Sequence, residues 1–267
     1  MKKKIKTFIF VLFIILIVLF ILNRIPKNEF NKVENIHSEK INQSFFLYPK
    51  LSNNQVIENK IYTLSYSEKD EQAEWVAYKL FQNSINLSVK RKDNFRKDLR
   101  VITGSATLND YKKSGFDRGH LAPAKTMSYS KETMSESFYM SNMSPQKPSF
   151  NRGIWKKLEE KVRSWIPISD SLYVVTGPVL DNPLGAIGEN NVTVPSAYYK
   201  TIVRFKKDKI FGIGFLLKNE KSNQELRSFS VSIDSIEKVT GLDFFYNLDS
   251  VVQNSIESNS DYERFLQ

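Results

Sequence analysis

Two apolar runs, from Tyr198 to Phe205 and from Ile210 to Leu217, are separated only by Lys206-Lys207-Asp208-Lys209. A polar tip this short joins neighbouring antiparallel strands, because a parallel pair needs a crossover of a dozen or more residues. The pattern therefore commits this part of the chain to an antiparallel sheet. Ile61 to Tyr66, Leu172 to Thr176 and Ser228 to Ile233 read as further strands. Ser67 to Phe81 reads as a helix: acids come early, and Trp75, Val76, Leu80 and Phe81 recur at helical spacing. Ser149 to Trp165 reads as a second helix stopped at Pro167, and Asp234 to Val239 as a short one ended by Gly241. Strands and helices do not alternate regularly, and no internal repeat is present. The expected class is α+β, a mixed, largely antiparallel central sheet flanked by helices.

The N-terminus is set apart from this pattern. Lys2, Lys3, Lys4 and Lys6 precede an unbroken apolar run from Phe8 to Leu22. A basic head followed by an apolar stretch is an export signal, and the flank after it lacks the small-x-small cleavage pattern. Residues 1–25 are therefore expected to form a signal-anchor that tethers the chain to a membrane, with the lysines in the cytoplasm. The rest would lie outside the cytoplasm, or be secreted or periplasmic if the segment is cleaved. Residues 26–59 are polar and without a steady period, which reads as a linker, and residues 60–267 as the folded domain.

Composition narrows the chemistry. The 267 residues include no cysteine and only two histidines, His37 and His120. Thiolate nucleophiles, iron–sulfur clusters and cysteine-zinc sites are excluded, and sites needing several imidazoles nearly so. The formal charge is +10; removing residues 1–22 takes away four lysines and no acid, leaving +6. A basic body of this kind favours an anionic partner.

Asp117-Arg118-Gly119-His120 brings a carboxylate, a guanidinium, a flexible glycine and the one histidine of the folded domain into four consecutive positions. Imidazole can accept a proton near neutral pH, and arginine attracts phosphate. Asn142-Met143-Ser144-Pro145-Gln146 follows, and then Asn151 at the head of the second helix, with Trp155, Glu159 and Arg163 at i, i+4 and i+8 from Trp155. Taken singly, each has an ordinary reading: a turn with a surface histidine, a helix cap, a surface ion pair, a core tryptophan. Lys156, Lys157 and the pair Lys112-Lys113 are equally compatible with a basic binding surface and with solvated faces.

Taken together, Asp-Arg-Gly-His-Leu-Ala-Pro, Asn-Met-Ser-Pro-Gln and Asn-x-Gly-x-Trp-x-x-Leu-Glu resemble the DNA/RNA non-specific endonuclease family, the sugar-non-specific nucleases with a ββα-metal finger. Tyr62 to Tyr78 resembles the family's opening strand and Trp-Val-x-Tyr helix. Arg91 to Asp98 resembles its basic segment, and Thr176-Gly177-Pro178 and Val194 to Lys200 its later strand motifs. The resemblance covers roughly residues 60–255 and implies the following roles. His120 is the general base. Asn151 is the direct ligand of Mg²⁺, with Mn²⁺ or another divalent cation as substitutes. Glu159 holds metal-bound water. Arg118 and Arg163 contact the phosphate, Arg91 (or Arg96) adds a further arginine, and Asn142 assists beside the metal finger. Asp117 orients its neighbours. DNA and RNA are the implied substrates, cut at phosphodiester bonds with little sequence preference. A catalytically weak nucleic-acid-binding module at the cell surface is the alternative, and a secreted effector nuclease with an inhibitor partner is another.

Overall fold

The computed structural model of the chain describes residues 48–50, 52–82 and 89–267. The expected signal-anchor and residues 26–47 and 51 of the expected linker lie outside the described residues. Among the described residues, no helix is long and apolar enough to cross a membrane.

The hairpin read from the sequence is the spine of the fold. In chain order the strands are β1 (Gln55–Glu58), β2 (Tyr62–Ser67), β3 (Gln72–Phe81), β4 (Asp117–His120), β5 (Met143–Gln146), β6 (Ser171–Val179), β7 (Gly185–Ile187), β8 (Val192–Val194), β9 (Ala197–Lys206), β10 (Lys209–Lys218) and β11 (Ser230–Val231). The helices are α1 (Leu108–Tyr111), α2 (Lys131–Glu136), α3 (Pro148–Phe150), α4 (Lys156–Ser164), α5 (Ile233–Thr240), α6 (Ser250–Glu257) and α7 (Tyr262–Leu266). Seven strands form one sheet in the order β1-β2-β3-β6-β9-β10-β11, and every pairing in it is antiparallel.

Both faces of this sheet are covered, so the class is α+β as the sequence implied. One face carries Val76, Tyr78, Val174, Tyr198 and Ile202 and packs under Trp155, Leu158 and Val162 of the α4 region. The other carries Trp75, Ala77, Val175, Tyr199 and Val203 and packs under Ile233, Ile236 and Ile256 of α5 and α6. Neighbouring residues of one strand thus belong to opposite cores, as the two-residue period of a strand requires.

The same period explains the main correction. The expected helix from Ser67 to Phe81 is a tight turn followed by β3, with Tyr78 opposite Tyr62 and Thr176 opposite Val76. A strand buried on both faces reads as a nearly continuous apolar run, which helical spacing also fits. Two smaller corrections follow. Gln55–Glu58, at the end of the expected linker, pairs with β2 as the sheet's edge strand. Of the strand expected from Ser228 to Ile233, only Ser230 and Val231 pair, and a short 3₁₀ turn precedes them.

The helix expected from Ser149 to Trp165 is continuous in course but not in geometry. α3 passes into a wide π-type turn over Asn151–Trp155, kinked at Gly153 (φ −104°, ψ −113°), before α4 begins. Trp155 anchors the join: it is fully buried and stacks on Phe150, which in turn stacks on Tyr198. Truncating a tryptophan so enclosed costs on the order of 3–5 kcal/mol. α4 is therefore fixed to the sheet at the residue that precedes it, and the side chains one and two turns beyond Trp155 inherit that position.

Candidate active site

β4 and β5 form a separate two-stranded ribbon, with Asp117 opposite Gln146 and His120 opposite Met143, and α3 and α4 follow directly. Gly119 lets the ribbon close. A Cβ there would stand 2.2 Å from the Gln146 side chain, so no larger residue fits without displacing it. His120 is thereby presented at the end of a strand whose register is fixed.

Asn142 ties down the chain after that histidine. Its backbone carbonyl accepts from Leu121 N–H at 3.0 Å, and its Oδ1 accepts from Ala122 N–H at 2.9 Å. Its Nδ2 donates to the carbonyls of Ala122 (3.0 Å) and Ser137 (2.8 Å). The side chain is fully buried and its donors are spent. Asn142 does not line the cleft, and its bonds fix the chain that directly follows His120.

The other residues singled out in the sequence meet in one open cleft of about 670 Å³, lined by Arg91, Arg118, His120, Asn151, Glu159 and Arg163 along with Asp117 and Arg152. Arg96 is elsewhere: it donates to the carbonyls of Asn94 and Ser135 and lies 3.9 Å from the centre of the Tyr139 ring. Of the two arginines left open by the sequence, Arg91 is the one at the cleft.

His120 packs edge-on against Phe138, with ring centroids 4.7 Å apart, and beside Phe95 at 5.7 Å. Its Nε2 is buried without a hydrogen-bond partner, which leaves Nδ1 as the ring nitrogen open to the cleft. The same two rings carry arginines: Arg118 lies 4.2 Å from the Phe95 centroid and Arg91 5.2 Å from that of Phe138. Loss of water and then the charge of Arg91 push the imidazole down to about 3, with Asp93 pulling it up and Arg118 adding a smaller push downward. Burial and the two arginines together hold His120 toward its neutral form.

Asp117 organises the opposite wall. Its Oδ2 accepts from Asn151 Nδ2 at 2.9 Å, and Arg152 clamps both oxygens at 2.9 and 2.6 Å. Burial works to raise this carboxyl, but the bonds from Arg152 and Asn151 outweigh it and hold it below the ordinary range. With its nitrogen engaged by Asp117, Asn151 has Oδ1 left as the atom for a ligand. A carboxamide oxygen backed by a carboxylate, beside Glu159 and in a cleft with room for water, is a donor set suited to a hard, hydrated divalent cation.

Glu159 sits one turn beyond Trp155. Burial raises its carboxyl, and Lys200 and Arg163 pull it back. Lys200, on β9 and fully buried, donates to Thr176 Oγ1 at 3.0 Å and lies 4.2 Å from the centre of a Trp155 ring. Burial lowers Lys200, and Glu159 opposes that. Arg163 reaches Thr126 Oγ1 at 3.3 Å.

Sequence reasoning passed over three contributors. Lys200 was within a quoted strand motif, but a lysine in an apolar strand pointed to nothing until its face was known. Phe95 and Phe138 lie 25 and 18 residues before and after His120, and only the fold brings them to the imidazole.

The family model of the DNA/RNA non-specific endonucleases matches residues 45–251. A nuclease of Nostoc sp. is 31% identical over 250 residues, covering 88% of this chain and 90% of the relative. Nuclease C1 of Cunninghamella echinulata is 36% identical over 210 residues, covering 72% and 83% respectively. Among solved structures, that of EndoG in complex with EndoGI superimposes with a TM-score of 0.71 at 32% identity, covering 76% of this chain and 89% of that one. The chain belongs to the DNA/RNA non-specific endonuclease family and is a nuclease.

Proposed function

We propose that the chain is a divalent-metal-dependent endonuclease that hydrolyses the phosphodiester backbone of DNA and RNA with little sequence preference. The observation that carries this reading is the convergence on one cleft of a neutral imidazole, a carboxamide whose oxygen is left free, and three arginines.

The chain's own groups divide the work. Arg91, Arg118 and Arg163 draw in a phosphate and balance the charge that builds on it in the transition state. Base-specific contacts are not needed for this, so the same groups serve DNA and RNA. His120 accepts the proton of the attacking water at Nδ1. Burial and the charges of Arg91 and Arg118 hold its pKa low in the free state, and the negative charge of a bound phosphate raises it, so that basicity grows when substrate binds. Asn151 and Glu159 would hold the hydrated ion, Asn151 directly and Glu159 through its water. When bound, Mg²⁺ or a similar cation supplies polarisation of the phosphate and support for the departing oxygen. Asp117 keeps Asn151 turned for that task.

The basic-then-apolar N-terminal residues support an address at or beyond the membrane, where unspecific cleavage spares the cell's own genome.

Digestion of plasmid DNA and of a structured RNA by the purified protein tests the reading. Mg²⁺ should support both and EDTA should stop both, and His120→Ala should lower kcat/KM by about 10²–10⁴-fold. Full activity of His120→Ala would remove the assigned base; nucleic-acid binding without any turnover would favour the binding-module alternative.

A further inference from the structure

Beyond Asp117 and Arg118 lies a second hollow of about 380 Å³, which no step above uses. Leu108, Asn109, Lys112 and Phe116 form its remaining rim, with Tyr111 behind them. Because the two hollows share Asp117 and Arg118, a strand leaving the cleft past Arg118 enters the second at once.

The rim is rigid. Leu108–Tyr111 is a single helical turn closed by a capping box between Thr107 and Asp110. The Asp110 carboxylate also accepts from the backbone N–H and side-chain amide of Asn190, at 3.1 and 2.8 Å. Gly188 approaches so closely that a Cβ would stand 2.3 Å from Asp110. This network holds Leu108 outward and 43% exposed, with Lys112 exposed at the end of the turn. A leucine displayed on a locked turn beside an aromatic ring is a preformed apolar contact, which binds without the cost of ordering. Lys112 and Arg118 leave the hollow net positive, since the charge of Asp117 is taken up by Arg152.

The geometry points to a subsite for one further nucleotide of the substrate strand, one step along from the cleaved linkage. Its base packs on Leu108 and Phe116, its phosphate lies between Lys112 and Arg118, and the amide of Asn109 meets a polar edge of base or sugar. The assignment rests on cleavage occurring beside His120 and Asn151. It also gives Lys112, half of a lysine pair that could have been merely solvated, a partner.

The test compares short and long strands on the double variant Leu108→Ala/Lys112→Ala, whose side chains are both exposed. Fluorescence anisotropy of labelled oligothymidylates in EDTA reads binding apart from cleavage. The hexanucleotide should bind about tenfold more weakly to the variant and the dinucleotide less than twofold, and the dependence of hexanucleotide binding on salt should lose about one phosphate's worth of slope. Equal weakening of both lengths, or of neither, overturns the subsite. The expected length dependence in a protein that cuts nothing on adding Mg²⁺ would uphold the subsite while removing the catalytic reading.

Discussion

The two faces of the sheet both take carboxylates out of water, and they do it in opposite ways. On the cleft face the partly buried acids have cations at hand: Asp117 has Arg152, with Asn151 as a further donor, and Glu159 has Lys200 and Arg163 nearby. On the other face, between α5 and α6, Asp234, Glu237 and Glu257 bring their oxygens within 4.8 Å of one another, and none of them has an ion pair among the described residues. The bonds that Asp117 accepts hold its carboxyl below the ordinary range and fixed in direction, which a site needs. In the cluster, burial pushes Glu237 and Glu257 toward their protonated forms, which is a matter of stability. If this division is right, perturbing the first set changes activity and its metal or pH dependence, while perturbing the second changes only stability.

The largest effect expected from the supporting groups is at Asp117. Asp117→Ala frees the Asn151 amide to rotate and removes the clamp on Arg152. A partner of this kind, one shell behind a metal ligand, is typically worth about 10–100-fold in metal affinity or activity. The Mg²⁺ concentration for half-maximal cleavage should rise accordingly. If activity falls but the metal requirement is unmoved, Asp117 does not act through Asn151.

Lys200→Met sharpens the contrast further, because it removes a buried cation while keeping most of the side chain's volume. Glu159 then loses the largest charge that favours its ionised form. The sign follows: its pKa rises, so the acid limb of the pH–rate profile should move to higher pH, by roughly one unit for each 1.4 kcal/mol of lost interaction. Activity at pH 7 should drop severalfold and return as pH is raised. A uniform loss at all pH values, with the limb in place, would make Lys200 a packing residue only.

How much of this was legible beforehand differs between the two faces as well. The active residues were readable because they cluster in motifs: Asp117 to His120 is one four-residue strand, and Asn151, Glu159 and Arg163 lie along one helical course. What failed was depth. The sequence does not mark whether an apolar run is covered on one side or two, so β3 passed for a helix. Nor does it mark where a hydrogen-bonding residue spends its donors: the bonds of Asn142, expected to assist beside the metal finger, run to the carbonyls of Ala122 and Ser137 and show only in the fold. The acid cluster was invisible for a similar reason. Asp234 and Glu237 are neighbours on α5, but Glu257 is 20 residues away, and nothing in its surroundings in sequence announces burial.

Glu257 gives the smallest and cleanest break. Burial first, and then the charges of Glu237, Asp234 and Asp243, push it up to about 8, against a hydrogen bond from Gln253 Nε2 at 3.2 Å. In the unfolded chain the same carboxyl releases its proton near pH 4.3. Between those values the folded state holds a proton that the unfolded state has lost, so this group's contribution to stability is present below about pH 4.3 and disappears as pH rises toward 8. Glu257→Gln keeps the shape and removes the titration. Its melting temperature should match the parent's at pH 4.5 and exceed it at pH 8.5 by several degrees, the equivalent of about 2 kcal/mol for a buried group relieved of its charge. Cleavage of DNA at pH 7 should be unchanged, because the sheet separates α6 from the cleft. A gain in stability that is the same at both pH values would mean that Glu257 is an ordinary buried polar group. A loss of activity would mean that the two faces are coupled through the sheet, and the division drawn here between acids that act and acids that merely fold would not hold.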